Sequence, residues 1–444
     1  MYKKKDSHTT PLFDDIFPFG GKLDNQNRWL KIAEMIPWET LEQSYSQHFS
    51  HTGRPACDAR LVIGLLLLKH MTGFSDQEIV QLVSENPYMQ AFCGLEHFLT
   101  GKLIDPSTLT NVRKRLGAEK FKELEELTYQ ALIERKILKP KGVLVDATVF
   151  PENIRFPTDI GILNECRQWL VDNVKSVGSK IGRKFRTYCR VARKVYLNFN
   201  KKKRKTEDEV RRVTKSLLQY VRRNLRQFEE VVAVTVAKGL EIPAKVTARL
   251  AVVKEVVRQQ EQMLAAKVHH IENRIVSLHK PQVRPIKRGK LGKETEFGPK
   301  ASLSHVGCFT FLDRLSSDNY NESGDVALQL ANYQERFGVL PKDMVGDRIY
   351  GTNANRKFLN DNQIRDAFEP LGRKPVYDNR EAGWRRRKRR ERNRIEGSFG
   401  NIKNHYGLNC IRYSIAGGDE LYVRLGLMAA NLKAAIAIKP PKRK

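Results

Sequence analysis

Gly142-Val-Leu-Val-Asp146-Ala-Thr-Val-Phe150 is a short, β-branched and apolar run, bounded by Gly142 and Pro151, with one acid at its centre. Such a run reads as a buried strand. An ionised carboxylate inside a core strand is expensive unless it is paired or binds a cation. Asp146 is therefore either a hydrogen-bonded structural acid or a ligand, and the rest of the chain has to decide between the two.

A second segment bears on that choice. Arg392-Asn-Arg-Ile-Glu396-Gly-Ser-Phe-Gly-Asn-Ile-Lys403 follows the basic run Arg385, Arg386, Arg387, Lys388, Arg389 and Arg390. On a helix of about 100° per residue, Glu396 lies about 40° from Arg392 and Lys403 about 20° from it, so the three share a face. An acid between two cations suits a metal-dependent phosphodiester site, with a carboxylate for the cation and charged donors for phosphates. A solvated helix with ordinary (i, i+4) pairs has the same pattern. Glu391 is the rival acid. It sits about 140° round from Glu396, so both cannot face one ion.

The 444 residues suggest two or three domains. Lys and Arg total 80 against 50 Asp and Glu, a formal charge of +30, which makes a polyanion the expected large partner. A membrane surface is the competing polyanion. The longest apolar run, Leu61 to Leu68, is far below the roughly 18 residues a span needs, and neither signal peptide nor lipidation motif is found. The six cysteines form no C-x-x-C pair, which argues against a zinc finger or a disulfide framework and for a reduced, cytosolic protein; Cys57 and Cys93 read as buried apolar residues.

Residues 1–135 read as a helical, helix-turn-helix-like module. Asp58 caps a helix through Leu61 to Leu67, and Thr72-Gly73-Phe74-Ser75 turns into a second helix with Glu78 at the capping-box position. A third helix opens at Asp105-Pro106-Ser107-Thr108 and is expected to show Arg113, Lys114 and Arg115 on its exposed side, where Arg113 and Arg115 are candidate DNA contacts. Residues 160–280 read as a basic helical insertion built from a pair of long helices, as a hairpin or a small bundle. One carries a stripe from Val210 to Val232, the other a stripe from Leu250 through Val268 and Ile271 to Ile275. Lys201 to Lys205 sits in a loop or helix terminus. Pro281 to Glu294 reads as a connector.

Strand character then resumes. A hairpin spans Glu296 to Leu312, a helix runs from about Gly324 to Phe337, and a strand from Asp343 ends on Asp347. A helix opened by Thr352, a strand from Ile364 to Phe368, a basic linker, the Glu396 helix and an Ala-rich helix from Asp419 to Ile438 complete the order, before a basic tail over 439–444. Acids on the first strand, the fourth strand and a late helix follow the order of a ribonuclease H-like mixed α/β domain, here formed by residues 136–159 and 281–438. Three carboxylates converging in that way can hold two Mg²⁺ or Mn²⁺ ions for an in-line phosphoryl displacement. No phosphate-binding glycine loop or Ser-His-Asp set competes with it.

The sequence resembles the DDE transposases of bacterial insertion sequences, in the IS-five-like branch. The likeness is carried by Arg54-Pro55 to Leu95 with Asp105-Pro-Ser-Thr-Leu109, Val145-Asp146-Ala-Thr148 with Ile154 to Asp159, Glu296-Phe-Gly298, Gly346-Asp347-Arg-Ile-Tyr-Gly351, and Arg392-x3-Glu396-x6-Lys403. The resemblance implies that Asp146, Asp347 and Glu396 are catalytic metal ligands, with Arg392 and Lys403 on phosphates and Arg385, Arg386, Arg387 and Lys388 on the DNA backbone. It also implies recognition of terminal inverted repeats and target DNA, a synaptic homo-oligomer, and a cytoplasmic, nucleoid-associated enzyme. The family's signature has a Tyr three residues before the Arg; here that position is Arg389, and Tyr406 cannot replace it. The alternatives are a catalytically silent sequence-specific DNA-binding protein and a ribonuclease H-like nuclease or resolvase without strand transfer.

Overall fold

The computed structural model describes residues 18–49, 55–290, 293–370, 372 and 377–438. Arg54 and the basic tail over 439–444 lie outside the described residues. The chain divides into two units, one built from residues 1–152 and 299–444 and the other from 153–298.

The first unit opens with α1 (Arg28–Met35), α2 (Trp38–Ser46), α3 (Ala59–Thr72), α4 (Asp76–Glu85), α5 (Pro87–Phe92) and α6 (Pro106–Glu134), and enters strand β1 at Val143–Val149. The expected caps are present. Asp58 accepts from the Leu61 amide, Ser75 and Glu78 form a reciprocal capping box, and Asp105 accepts from Ser107. Gly73 takes the left-handed conformation (φ 78°) that ends α3, and Gly117 (φ 67°) interrupts α6.

The second unit holds α7 (Asp159–Lys180), α8 (Cys189–Lys201), α9 (Glu207–Ala237) and α10 (Ala244–Ala266), then an antiparallel ribbon of β2 (Pro285–Lys290) and β3 (Lys293–Phe297). The two expected long helices are α9 and α10, and α7 and α8 join them in a four-helix bundle. Its core joins Leu163, Leu170 and Val174 of α7 to Leu217, Val221 and Phe228 of α9. The second apolar stripe does not continue as helix, because Lys267 turns left-handed (φ 56°) and closes α10 before Ile271 and Ile275. The expected connector, Pro281 to Glu294, takes in β2 and the first two residues of β3.

The chain re-enters the first unit through β4 (Lys300–Val306), β5 (Phe309–Ser316), α11 (Val326–Phe337), β6 (Asp343–Val345), α12 (Asn353–Asp361), β7 (Arg365–Asp366), α13 (Asn379–His405) and α14 (Gly418–Ala437). Its sheet has the order β5-β4-β1-β6-β7. Pairing is antiparallel from β5 to β1 and parallel from β1 to β7. That is a mixed α/β architecture, and it has the strand order expected of a ribonuclease H-like domain. One difference is plain: the basic run and the Glu396 segment form one continuous helix, with no linker between them.

Alternation along β1 separates two environments. Val143 and Val145 join Tyr129, Leu330 and Tyr333 on one face, while Leu144 joins Val345, Ala367 and Ile395 on the other. The N-terminal helices share their core with the sheet and with α14: Val62, Leu65 and Leu68 cluster with Leu303, Leu312, Leu425 and Met428. A buried polar network ties the same layers together. Glu125 on α6 binds Arg424 on α14 at 2.7 Å, Tyr129 donates to Glu125, and Asn431 bridges Tyr129 to the Thr310 backbone.

Arg113 corrects an expectation. It is 4 % exposed, because its guanidinium forks onto Asp76 at 2.5 and 3.0 Å and lies 4.3 Å from the Tyr413 ring centre. Lys114 and Arg115 do face out. Arg113→Gln leaves Asp76 with only Lys69 as a cationic partner at 2.6 Å. The expected cost is about 2–4 kcal/mol, read as a fall in thermal midpoint, with DNA affinity per folded molecule unchanged.

Candidate active site

Asp146 shares a face of β1 with Leu144 and Thr148, and both neighbours touch α13. Leu144 packs with Ile395, while Thr148 accepts a hydrogen bond from the Lys403 ammonium at 2.9 Å. Asp146 therefore faces α13 between those two contacts. Its carboxylate accepts the Ala147 amide at 2.8 Å. Burial pushes its pKa up to about 6, Asp347 and Glu322 adding to the rise and the Ala147 amide and Arg392 opposing it.

Asp347 comes near Asp146 through backbone pairing. Val143 lies opposite Met344 and Leu144 opposite Val345 in the parallel pair. The pairing ends there, and Asp347 follows β6 by two residues, close enough to Asp146 for its charge to raise the Asp146 pKa. Asp347 then caps a 3₁₀ turn, Arg348–Tyr350, by accepting the Ile349 amide at 2.9 Å. The position just before it is tightly enclosed. A Cβ on Gly346 would lie 3.0 Å from Phe368, Tyr350 and Val145 alike.

Glu396 projects from the edge of α13 and is 55 % exposed, holding Arg392 at 2.9 Å. The helix is pinned to the sheet by Ile395, by Lys403 on Thr148 and the Val149 carbonyl, and by Ser398 on Thr310 at 2.7 Å. Among the described residues no three His, Cys, Asp or Glu side chains converge into a ready metal cage. Asp146 is thus electrostatically coupled to Asp347 and to Arg392, and Arg392 is bonded to Glu396.

Several basic residues have internal roles. Lys403 ties α13 to the end of β1. Arg385 is 12 % exposed against Glu381 at 2.7 Å and Asp366 at 3.6 Å, and Lys388 pairs with Asp343 at 2.9 Å and Glu391 at 3.2 Å. Arg386, Arg387 and Arg390 face solvent. Tyr406 is buried and its carbonyl faces His70 at 3.1 Å.

Three residues near the acids, Glu322, Asn355 and Tyr350, were given no role by the sequence reading. Glu322 is held by Lys300 at 2.5 Å and influences both Asp146 and Tyr350. The Asn355 amide, bonded to the carbonyls of Ser323 and Tyr350, joins the two turns that carry them. Tyr350 is fully buried, and the charges of Glu322, Asp146 and Asp347 push its hydroxyl pKa up beyond what burial alone does. Tyr350 was visible only as part of a motif, and Glu322, in a polar loop, gave no signal at all.

Comparison with known proteins finds two family matches. The family described as Transposase domain (DUF772) matches residues 17–115, and the family described as Transposase DDE domain matches residues 344–418, a span that includes Asp347 and Glu396. An uncharacterised protein from Rhizobium meliloti, ORF8 of the nfe locus, is 36% identical over 168 residues, which are 37% of this chain and 80% of that protein. No solved structure matches the chain. The chain belongs to the DDE transposases of insertion sequences, and it is a metal-dependent DNA transposase.

A carboxyl raised in the folded state costs nothing below its unfolded pKa of about 4 and the full amount above 6, so stability falls as pH rises through that window. Asp146→Asn removes the charge. It should raise stability by on the order of 2–3 kcal/mol at pH 8 and change little at pH 3.5, as measured by denaturant titration at both pH values. Gly346→Ala should lose about 1–3 kcal/mol through overpacking and slow strand cleavage at least tenfold by displacing Asp347.

Proposed function

We propose that the chain is an IS-five-like transposase that cleaves DNA at the ends of its element and joins those ends to a target. The observation that supports this reading is the electrostatic coupling of Asp146 on β1 to Asp347, just beyond the parallel strand β6, and to Arg392, which holds Glu396. Two neighbouring half-buried acids fit a divalent cation better than they fit each other, because burial first and the charge of Asp347 second disfavour the ionised form of Asp146, and a cation would offset both. Asp146, Asp347 and Glu396 would hold two Mg²⁺ or Mn²⁺ ions, which supply activation of the attacking oxygen and stabilisation of the leaving oxygen.

The residues of the chain do the positioning. Arg392 can exchange Glu396 for a phosphate oxygen, releasing the carboxylate toward Asp146 and orienting the scissile group. Lys403 and Ser398 keep α13 fixed on the sheet while that exchange occurs. In the first step a water oxygen attacks phosphorus and the bond to the 3′ oxygen breaks, leaving a 3′-hydroxyl. In the second, that hydroxyl attacks a target phosphodiester and displaces the target's own 3′ oxygen. Arg386, Arg387 and Arg390, exposed along α13, and Arg115 on α6 meet the backbone of duplex DNA. The N-terminal helices recognise the terminal inverted repeats, and a synaptic homo-oligomer holds two ends together.

Asp146→Ala, Asp347→Ala and Glu396→Ala should each retain binding to end DNA and lose Mg²⁺-dependent cleavage and joining by more than about 10³-fold, the scale of losing a group essential to transition-state charge stabilisation. An end-labelled repeat substrate reads both steps. Binding without nicking by the unmodified chain would favour a silent DNA-binding protein, and nicking without joining a nuclease. Wild-type cleavage by any one variant removes that residue from the site.

A further inference from the structure

The second unit gathers cations around a pocket that the reaction does not use. The pocket has a volume of about 480 Å³ and is lined by Arg155, Arg167, Lys175, Arg190 and Arg193, with Asp172 as its acid. Arg167 on α7 is 5 % exposed, and its guanidinium donates only to Asn164, from Nε at 3.2 Å and Nη2 at 2.8 Å. A guanidinium carries five N–H groups, so donors remain for a further acceptor. Several acids of this unit pair elsewhere: Glu230 with Arg183, Glu261 with Arg222, Glu229 with Lys254 and Asp159 with Arg274. Among the described residues, none of the five pocket cations forms an ion pair with a carboxylate.

Burying a guanidinium without a carboxylate partner is costly. Burial holds the pKa of Arg167 below its ordinary value and Arg193 lowers it further, against the opposing pull of Cys189 and Asp172. Two arginines close enough to disfavour each other's charge form a slot that an anion would relieve. The N-terminus of α8 adds to it. Its cap residue, Tyr188, is left-handed (φ 50°) and makes no side-chain cap, while Cys189 and Arg190 of the first turn line the pocket. Arg190 and Arg193 are exposed at its mouth. Guanidinium forks match phosphate oxygens two at a time.

We propose that this pocket binds phosphate, and that its occupant is a backbone phosphate of duplex DNA, gripped by the inserted bundle. The choice of DNA over free phosphate rests on the transposase reading of the chain.

The test uses the full-length chain and a 30-base-pair duplex of random sequence, with affinity measured by fluorescence anisotropy over a series of salt concentrations. Arg190→Gln/Arg193→Gln should weaken binding at least fivefold and reduce the slope of log affinity against log salt by about 1, as expected when the protein neutralises one phosphate fewer. Lys194→Gln/Lys245→Gln removes two exposed cations of the same unit outside the pocket. It should leave the slope unchanged. Arg167→Gln should reproduce the first variant, with its fold checked by circular dichroism; because the mouth arginines are exposed, they keep the test valid if it unfolds.

An equal loss in both double variants would reduce the effect to general charge and overturn the proposal, as would an unchanged slope in Arg190→Gln/Arg193→Gln. Calorimetry with inorganic phosphate separates the sources. Phosphate binding abolished by the mouth variant while the DNA slope stays intact would overturn the assignment to DNA. Cleavage at saturating end DNA should survive Arg190→Gln/Arg193→Gln, so failure of this pocket and failure of the catalytic reading give different results.

Discussion

The parallel pairing of β1 with β6 is the constraint on which the site depends. Strand period is fixed at two residues, so a shift of one position would turn Asp146 away from α13 and bury Val145 or Ala147 in its place. The apolar residues on both sides of Asp146 resist that shift. Val143 and Val145 are committed to the Tyr129 and Tyr333 face, and Leu144 to the Ile395 face. A half-buried acid is thus retained at a position where the surrounding packing leaves it no alternative, which is how a fold can maintain a costly group.

The second determinant is α13. A helix with this many arginines has little apolar surface to bury, and only Ile395 and Ile402 are buried along its length. It is held instead by specific polar links: Lys403 to the end of β1, Ser398 to β5, Lys388 to Asp343, Arg385 to Glu381. Part of the basic surface expected to meet DNA is therefore used in attaching the helix to its own sheet. The remainder, Arg386, Arg387 and Arg390, faces outward. Division of one charge run between structure and surface follows from helical period alone, since residues three and four apart share a face.

The N-terminal helices illustrate a further coupling. Their capping residues are local and independent of the rest of the chain. Their burial is not: α3 is almost wholly enclosed because α14, several hundred residues later, covers it. Arg113 is buried for the same reason, its guanidinium closed in by Asp76 from α4 and by Tyr413 from the segment before α14. A helix-turn-helix pattern in sequence is consistent with this arrangement, yet here the first helix of the pair is a core element of a larger unit.

Local chemistry was legible in the amino-acid order. The caps at Asp58, Ser75, Asp105 and Thr352, the acid inside β1, the acid just beyond β6 and the (i, i+4) pairing of Arg392 with Glu396 all follow from propensity and period, which act over a few residues. Tertiary structure decided what no local rule contains: that Asp146 and Asp347 come within electrostatic reach of each other, that Lys403 holds β1, that Arg113 is internal, that Glu322 approaches the acids, and that the insertion folds its basic helices around a pocket. Each of these depends on contacts between residues tens to hundreds of positions apart. The sequence supplies the partners in such contacts, but their meeting is set by which apolar faces must be buried together.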